Sequence, residues 1–383
     1  MPRPNAEPTS LLFTTAEYES RLTAVRAQMQ ARGVDVLLID QTEFLSYLTG
    51  FGPSETMHRA CLVPLSGEPV MVLRAIDVAP FQEHTWLTRH VAFADWEDPV
   101  AVLAETLRRN GWAGARLGLD EDSYCMTVRR FRALQAALPD ARFVDFTGVL
   151  DVLRARKSVA EIAYIRKAAS IADLAMAEAI AVAGEGKSER DAAAAASHAF
   201  VRLGADTGRA GPITAGTGLG FLHGHLHSRA MSAGEILHLE LIPTVNGYGA
   251  RLMRPAVIGA PTDEQWRTAD TLIHIQDQQF AAMRPGTLAR DVDAIAREGI
   301  LGAGLRDSYI NVTGYTLGHY PPSTPRTSDF TRVFLPTSDW VLETGMTFHM
   351  YVSAWGIAFS ETILVTDHGA ERLTQSARCL FVA

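Results

Sequence analysis

Two short turns, Gly184-Glu185-Gly186-Lys187-Ser188 and Arg284-Pro285-Gly286-Thr287, decide how this chain is built. Each divides two stretches of helical spacing: residues 161–183 and 189–205 around the first, 262–283 and 288–304 around the second. Ser188 and Thr287 read as caps for the helices that follow, a hydroxyl accepting one of the unpaired N–H groups of the first turn. A glycine closes each of those helices. After each helix pair comes a β-rich stretch, residues 223–258 and 341–366. A repeat at an offset of roughly 100 residues predicts a pseudo-symmetric domain of two similar halves, with a site expected between them.

Immediately before the first copy, Ser158 and Glu161 form a capping box, the hydroxyl taking one backbone N–H and the carboxylate reaching back to another. The domain boundary falls there, at 152–158. Upstream the texture differs. Residues 16–32 have helical spacing and end at Gly33, and 34–39 form an apolar run of strand length. Residues 60–64 and 69–73 read as a strand pair turned at Ser66-Gly67-Glu68; helices over 100–109 and 123–138 lie beside strands at 117–120 and 143–145. The fold class is α+β: a small α/β domain over 1–152, then the pseudo-symmetric domain over 153–383.

The 383 residues suit two domains. Thirty-five Lys plus Arg against 43 Asp plus Glu give a net charge of −8, which argues against a sequence-independent nucleic-acid binder. No run of about 18 apolar residues suggests a membrane span. Residues 1–8 lack the apolar core of a signal peptide. Cys61, Cys125 and Cys379 are odd in number and contain no C-x-x-C pair, so neither a disulfide framework nor a thiolate zinc site is expected. A reducing cytoplasm is the expected compartment.

Several stretches carry chemistry. In Leu222-His223-Gly224-His225-Leu226-His227, alternate residues of a strand would share a face and three imidazoles could converge on a metal. The other reading is a polar loop with one working histidine, which Gly224 and Ser228-Arg229 favour. In Ile236-Leu237-His238-Leu239-Glu240-Leu241, strand alternation puts His238 and Glu240 on one face. A carboxylate in so apolar a strand is costly unless it is paired or functional; Arg251 and Arg254 follow as partners. Those two arginines read equally as carboxylate forks or as solvated surface cations. His349, within Met346-Thr347-Phe348-His349-Met350-Tyr351, reads alone as a core histidine. Gly216-Thr217-Gly218-Leu219-Gly220 lacks the strand-then-helix context of a dinucleotide fingerprint. No phosphate-binding loop, nucleophile elbow or H-E-x-x-H motif occurs, and no cofactor is expected.

Taken together, Arg154-x-x-Lys157-Ser158-x-x-Glu161-Ile162, Arg284-Pro285-Gly286-Thr287, Leu342-Glu343-Thr344-Gly345-Met346 and the Gly247-Tyr248 to Arg254 stretch resemble the pita-bread family of aminopeptidase P, prolidase, methionine aminopeptidase and creatinase. The resemblance spans about residues 150–383, and the N-terminal α/β domain suits the creatinase and aminopeptidase P branch. The metallopeptidases of that family hold two metals with two Asp, one His and two Glu. Counted from the shared Gly-Tyr, those positions fall here on Glu240, Arg251, Tyr315 and near Tyr351 and Ser360. An arginine at a ligand position repels a cation, so the resemblance implies loss of the dinuclear site and no metal.

Two metal-free branches are similar. The catalytic histidine of creatinase lies about as far before the Glu240 position as His223 does. Ectoine hydrolases share a Glu at the Glu240 position, Gly314-Tyr315, Tyr320-Pro321-Pro322, the run from Gly345 to His349, and Ser360-Glu361. The chain departs from them in Thr49 to Thr56 and lacks one residue between Gly318 and Tyr320, so ectoine itself is not fixed as the substrate. The resemblance implies a metal-independent hydrolase of a C–N bond in a small zwitterionic amidine or amide. His223 would exchange protons, Glu240 act as nucleophile or base, and Glu361 steady the substrate cation. Arg251 or Arg254 would bind its carboxylate, and Tyr248, Tyr315, His319, His349 and Tyr351 would shape the pocket. A homodimer is implied, with residues 49–59, including Glu55, His58 and Arg59, reaching into the partner's site; a solvated turn is the other reading of that loop. An Xaa-Pro dipeptidase using one metal and a non-catalytic binding module are the alternatives.

Overall fold

The computed structural model describes residues 10–52, 57–218, 220–326, 328 and 330–383. Glu55 and Leu219, in two of the stretches considered above, lie outside the described residues, as do residues 1–8. The chain forms two compact units: residues up to Leu153 together with Ser323–Pro325, and Arg154–Pro322 together with Arg326–Ala383. The excursion at 323–325 was not legible in the sequence. Its anchor is Thr324, whose hydroxyl donates to the Glu43 carboxylate at 3.0 Å beside the Tyr124 hydroxyl, which donates to the same carboxylate.

In the first unit, α1 (Thr15–Arg32) leads to β1 (Val36–Ile39), α2 (Thr42–Thr49), β2 (Ala60–Pro64) and β3 (Val70–Arg74). Then follow α3 (Val78–His84), β4 (His90–Phe93), α4 (Pro99–Arg109), β5 (Arg116–Leu119), α5 (Val128–Ala137), β6 (Arg142–Asp145) and α6 (Val149–Leu153). The six strands order β4-β3-β2-β1-β5-β6. All four β1 residues are buried. Leu37 and Ile39 join Val25 and Met29 of α1 on one face; Val36 and Leu38 join Leu103 and Leu107 of α4 on the other. A strand covered on both faces reads as a continuous apolar run for this reason.

The second unit opens with α7 (Val159–Val182), whose capping box of Ser158 and Glu161 forms as expected, and continues with α8 (Glu189–Leu203). The repeat follows in α9 (Asp263–Ala282), with its own capping box of Thr262 and Gln265, and α10 (Ala289–Gly302). Thr287 does not cap α10. The cap position is Leu288, and the Ala289 N–H instead donates to the Trp340 carbonyl at 2.9 Å. An isolated bridge between Leu288 and Val341 supplies that partner, just as one between Ser188 and Ala230 holds the start of α8.

The strands between and after the helices are β7 (Ile213–Gly216), β8 (Ile236–Leu241), β9 (Thr244–Val245), β10 (Tyr248–Gly249), β11 (Leu252–Val257), β12 (Gly314–Thr316), β13 (Val333–Phe334), β14 (Thr347–Ala354), β15 (Ile357–Thr366), β16 (Gly369–Arg372) and β17 (Phe381–Val382). β9 and β10 pair with each other as a separate two-stranded sheet; the rest form a curled antiparallel half-barrel in the order β13-β12-β14-β15-β11-β8-β7, with β16 on β15 and β17 added parallel to β11. Register places Tyr351, Ser360, Met253 and Glu240 in one row across four strands, with Tyr315 opposite His349 and His349 opposite Thr362 in the next. Intervening residues on β14 and β15, Phe348, Met350 and Ile363, pack with Met283 and with Val292 of α10.

Candidate active site

Strand alternation brings one face of this row into a cleft of about 720 Å3, within the range of small-molecule sites. Its lining includes His223, His238, Glu240, Arg251, Arg306, Tyr315, Tyr351 and Trp355. At the centre Arg251 donates from Nη1 to Glu240 Oε1 at 2.7 Å. Both side chains are largely buried, so the pair is electrostatically stronger than a surface one. Glu240 is fixed by its strand: its N–H donates to the Pro212 carbonyl at 2.9 Å. Gly211, at φ +122°, permits that approach, since a Cβ there would lie 2.2 Å from the Glu240 carbonyl oxygen.

The Arg251 guanidinium lies 5.3 Å from the Tyr315 ring centroid, and Tyr315 meets Tyr351 edge-on at 6.2 Å. Burial pushes both phenols well above the ordinary tyrosine range, with the Glu240 carboxylate adding to the shift in each; the Arg251 cation only partly offsets it at Tyr315. They are therefore neutral hydrogen-bonding groups and not phenolates at neutral pH. For Arg251 burial opposes the charge, but Tyr315 and Glu240 together hold its pKa above the ordinary value.

The histidine-rich segment is a loop, and its three imidazoles do not converge. His223 lines the cleft. His227 instead turns to Glu189, with Nδ1 at 3.2 Å from Oε1. The same carboxylate accepts the His227 N–H at 2.5 Å and the Ala215 N–H at 2.7 Å, tying the loop to β7. The Phe221 carbonyl adds a second tie, accepting both the Gly224 N–H and the Thr214 hydroxyl. Glu189 was missed in the sequence because an acid in a helix's first turn ordinarily complements the helix dipole and carries no further signal.

Six other residues expected at the site lie elsewhere in the fold. Arg254 and Glu361 sit on the opposite face of the sheet, fully buried, and pair with each other at 2.8 Å. Arg378 approaches the same carboxylate at 3.4 Å, and the Thr374 hydroxyl donates to it. Burial raises the Glu361 pKa and lowers that of Arg254, each opposed by the other's charge. These two residues thus do not reach the cleft, because each is one position out of phase with it. Tyr248 donates its hydroxyl to Glu161 Oε1 at 2.8 Å and packs its ring on His319 at 4.7 Å, linking β10 to the start of α7. His349 lies one row behind, its ring against Tyr315 and Tyr351 at 5.0 and 5.4 Å. His58 belongs to the first unit, buried with Nδ1 at 3.9 Å from Asp40 Oδ2.

Both ring nitrogens of the buried His238 and His349 lack hydrogen-bond partners among the described residues. Burial drives the His238 pKa down to about 3, with the His223 charge adding to the effect, and takes His349 well below its ordinary value. A base whose folded pKa is depressed stabilises the fold above its unfolded pKa, and that contribution is lost as the pH falls through the folded value. For His238 the window runs from 6.5 down to about 3. Asp40, raised by burial to about 6, acts in the opposite sense, losing its contribution as the pH rises through that value. The melting temperature is expected to fall between about pH 7 and about pH 4, and less steeply in His238→Asn. An equal fall in the variant would show that His238 protonation does not contribute.

The metals of this fold place a specific demand on the donor set. Among the described residues no group of three or more His, Cys, Asp or Glu is placed to hold a metal ion. A guanidinium lies against the cleft carboxylate, and the neighbouring phenols are neutral. These residues do not fit a dinuclear metal site.

A creatinase-type α/β unit followed by a half-barrel sheet and two helix pairs defines a pita-bread hydrolase of C–N bonds with a small-molecule substrate. The chain belongs to the metallopeptidase family M24, which it matches over residues 163–367, and it matches the creatinase/prolidase N-terminal domain over 21–156. It is 29% identical to the ectoine hydrolase of Halomonas elongata, covering 97% of this chain and 99% of that one. The Xaa-Pro dipeptidase of Pyrococcus furiosus is 30% identical, over 62% of this chain and 68% of its own. Among solved structures, the dipeptidase PepE of Mycobacterium ulcerans superposes with a TM-score of 0.81 at 26% identity, covering 97% of this chain and 99% of that one. No helix among the described residues is long and apolar enough to cross a membrane.

Proposed function

We propose that this protein is a metal-independent hydrolase that opens a C–N bond in a small zwitterionic amidine or amide, as ectoine hydrolase and creatinase do. The observation that carries this reading is the Arg251–Glu240 contact at 2.7 Å: a fixed cation lies where the family's metallopeptidases require anionic ligands. The near full-length similarity to an ectoine hydrolase supports it.

In this mechanism Arg251, with one N–H given to Glu240, uses its other donors to orient the substrate carboxylate. Glu240 either takes a proton from the attacking water or attacks the scissile carbon itself. His223 delivers a proton to the departing nitrogen, so that the amine leaves neutral. Tyr315 and Tyr351 donate hydrogen bonds to the oxygen or nitrogen on which charge develops. Tyr248, Arg254, His319, His349 and Glu361 hold the sheet that presents these groups. A substrate contact by His58 belongs to the same proposal only through a homodimer in which one copy completes the other's cleft. A reducing cytoplasm suits the three free thiols.

Metal analysis and a substrate panel test the reading. Purified protein is expected to carry well under one metal per chain, with turnover of ectoine or another cyclic amidine unchanged by chelator. Stoichiometric Zn, Mn or Fe, together with chelator-sensitive cleavage of an Xaa-Pro dipeptide, would establish the dipeptidase instead. Absence of turnover across cyclic amidines, creatine, N-acyl amino acids and dipeptides would favour a binding module.

A further inference from the structure

Among the described residues, three non-glycine residues have positive φ: Asn246 at 52°, Phe330 at 57° and Trp355 at 52°. Asn246 is ordinary. With Gly247 at φ 78° it makes the two-residue turn between β9 and β10, where Val245 pairs with Tyr248. A turn with positive φ at both central residues favours Asn-Gly. Trp355 and Gly356, at φ 52° and 80°, make the same kind of turn between β14 and β15, where Ala354 pairs with Ile357. The chain therefore builds one turn type twice, once with the residue that suits it and once with a bulky indole that does not.

Packing does not account for the indole. Trp355 is 46% exposed and Phe330 is 56% exposed, so neither ring is held in place by burial in the core. Both line the cleft that contains Glu240 and Arg251. Phe330 stacks on Tyr315, with centroids 5.2 Å apart and planes at 27°. The turn itself is firmly seated: a Cβ on Gly356 would meet Phe221 Cε1 at 2.5 Å and the Gly218 carbonyl at 2.9 Å. Backbone strain of this kind collects at ligand sites, where it is retained for what the side chain does.

The chemistry of the lining indicates what the rings would meet. Arg251 and Arg306 offer cationic donors to an anion and repel a cation. Aromatic faces attract planar cations through the ring quadrupole. We propose that Trp355, with Phe330 beside it, is a specificity element whose indole face stacks on the planar, positively charged C–N unit of an amidinium or guanidinium substrate while the carboxylate lies toward Arg251. This inference rests on the hydrolase reading above and names the part of the substrate that selects it.

Binding measured by calorimetry in a His223→Ala background, with ectoine, creatine and the dipeptide Ala-Pro as probes, separates the two. Trp355→Asn is expected to raise the Kd of ectoine or creatine by about 5–30-fold, with Trp355→Phe within about threefold of the parent. Ala-Pro, which lacks a planar cation, should respond to neither. The melting temperature of Trp355→Asn should equal or exceed that of the parent, because Asn relieves the turn. Unchanged Kd values with binding intact, or a melting temperature lowered by the Asn variant, would overturn this inference alone. Failure of the parent to bind both ectoine and creatine would overturn the substrate class and this inference with it.

Discussion

His223→Ala is expected to lower kcat by about 10²–10⁴-fold, the usual contribution of a positioned general acid or base. Among the histidines lining the cleft, His223 is carried by a loop and not by the buried sheet, while Glu189 and Phe221 hold that loop in place. A proton carrier needs both access to solvent and a fixed position. Glu240→Gln tests the partner group. It keeps the shape of the side chain but removes its charge, leaving the buried Arg251 without an anion. Turnover should fall at least as far as in His223→Ala, and the double variant should be little worse than either single one, because groups that act as a unit in one bond cleavage are not additive. Steady-state kinetics on the true substrate decides the matter: wild-type kcat in His223→Ala removes it from the mechanism.

Glu361→Leu should destabilise the second unit by about 3–5 kcal/mol, the usual cost of removing one partner of a buried ion pair. Arg254 would be left fully buried with its charge uncompensated, and Arg378 would lose a nearby anion. Replacing both, as Arg254→Met with Glu361→Leu, should recover much of that loss, since apolar groups of similar volume carry no desolvation penalty. Urea unfolding midpoints measure both effects. The double variant also separates structure from chemistry. If it folds and retains kcat within about tenfold, Glu361 acts through the sheet; a larger loss of turnover in a folded double variant would return it to the catalytic set.

The sequence showed the elements with strong local signals. The capping box at Ser158 formed as expected because both partners lie within four residues, and Thr262 with Gln265 makes an equally local one that the sequence reading passed over. Thr287 had the right chemistry for a cap, but the Trp340 carbonyl, about 50 residues away, took the backbone donor, a competition that spacing does not reveal. The cleft was legible in part. Strand alternation correctly paired His238 with Glu240 on one face, and the arginine expected as the partner of Glu240 is Arg251. Arg254 and Glu361 were placed by motif position and not by phase; register sets them behind the sheet. Trp355 gave no sign at all, because an exposed aromatic in a loop is unremarkable until its backbone conformation is known.

Two ion pairs lie on opposite sides of the same sheet. Arg251–Glu240 borders the cleft, whereas Arg254–Glu361 lies behind it, only three positions along the chain from the first arginine. In the proposed mechanism, reactivity and mechanical strength fall on separate surfaces of a single β-ribbon. Side chains on the wet surface are open to exchange for new substrates without loosening the dry one. Such partitioning offers a physical route by which one scaffold can trade metal-bearing and metal-free chemistries while its backbone stays in place.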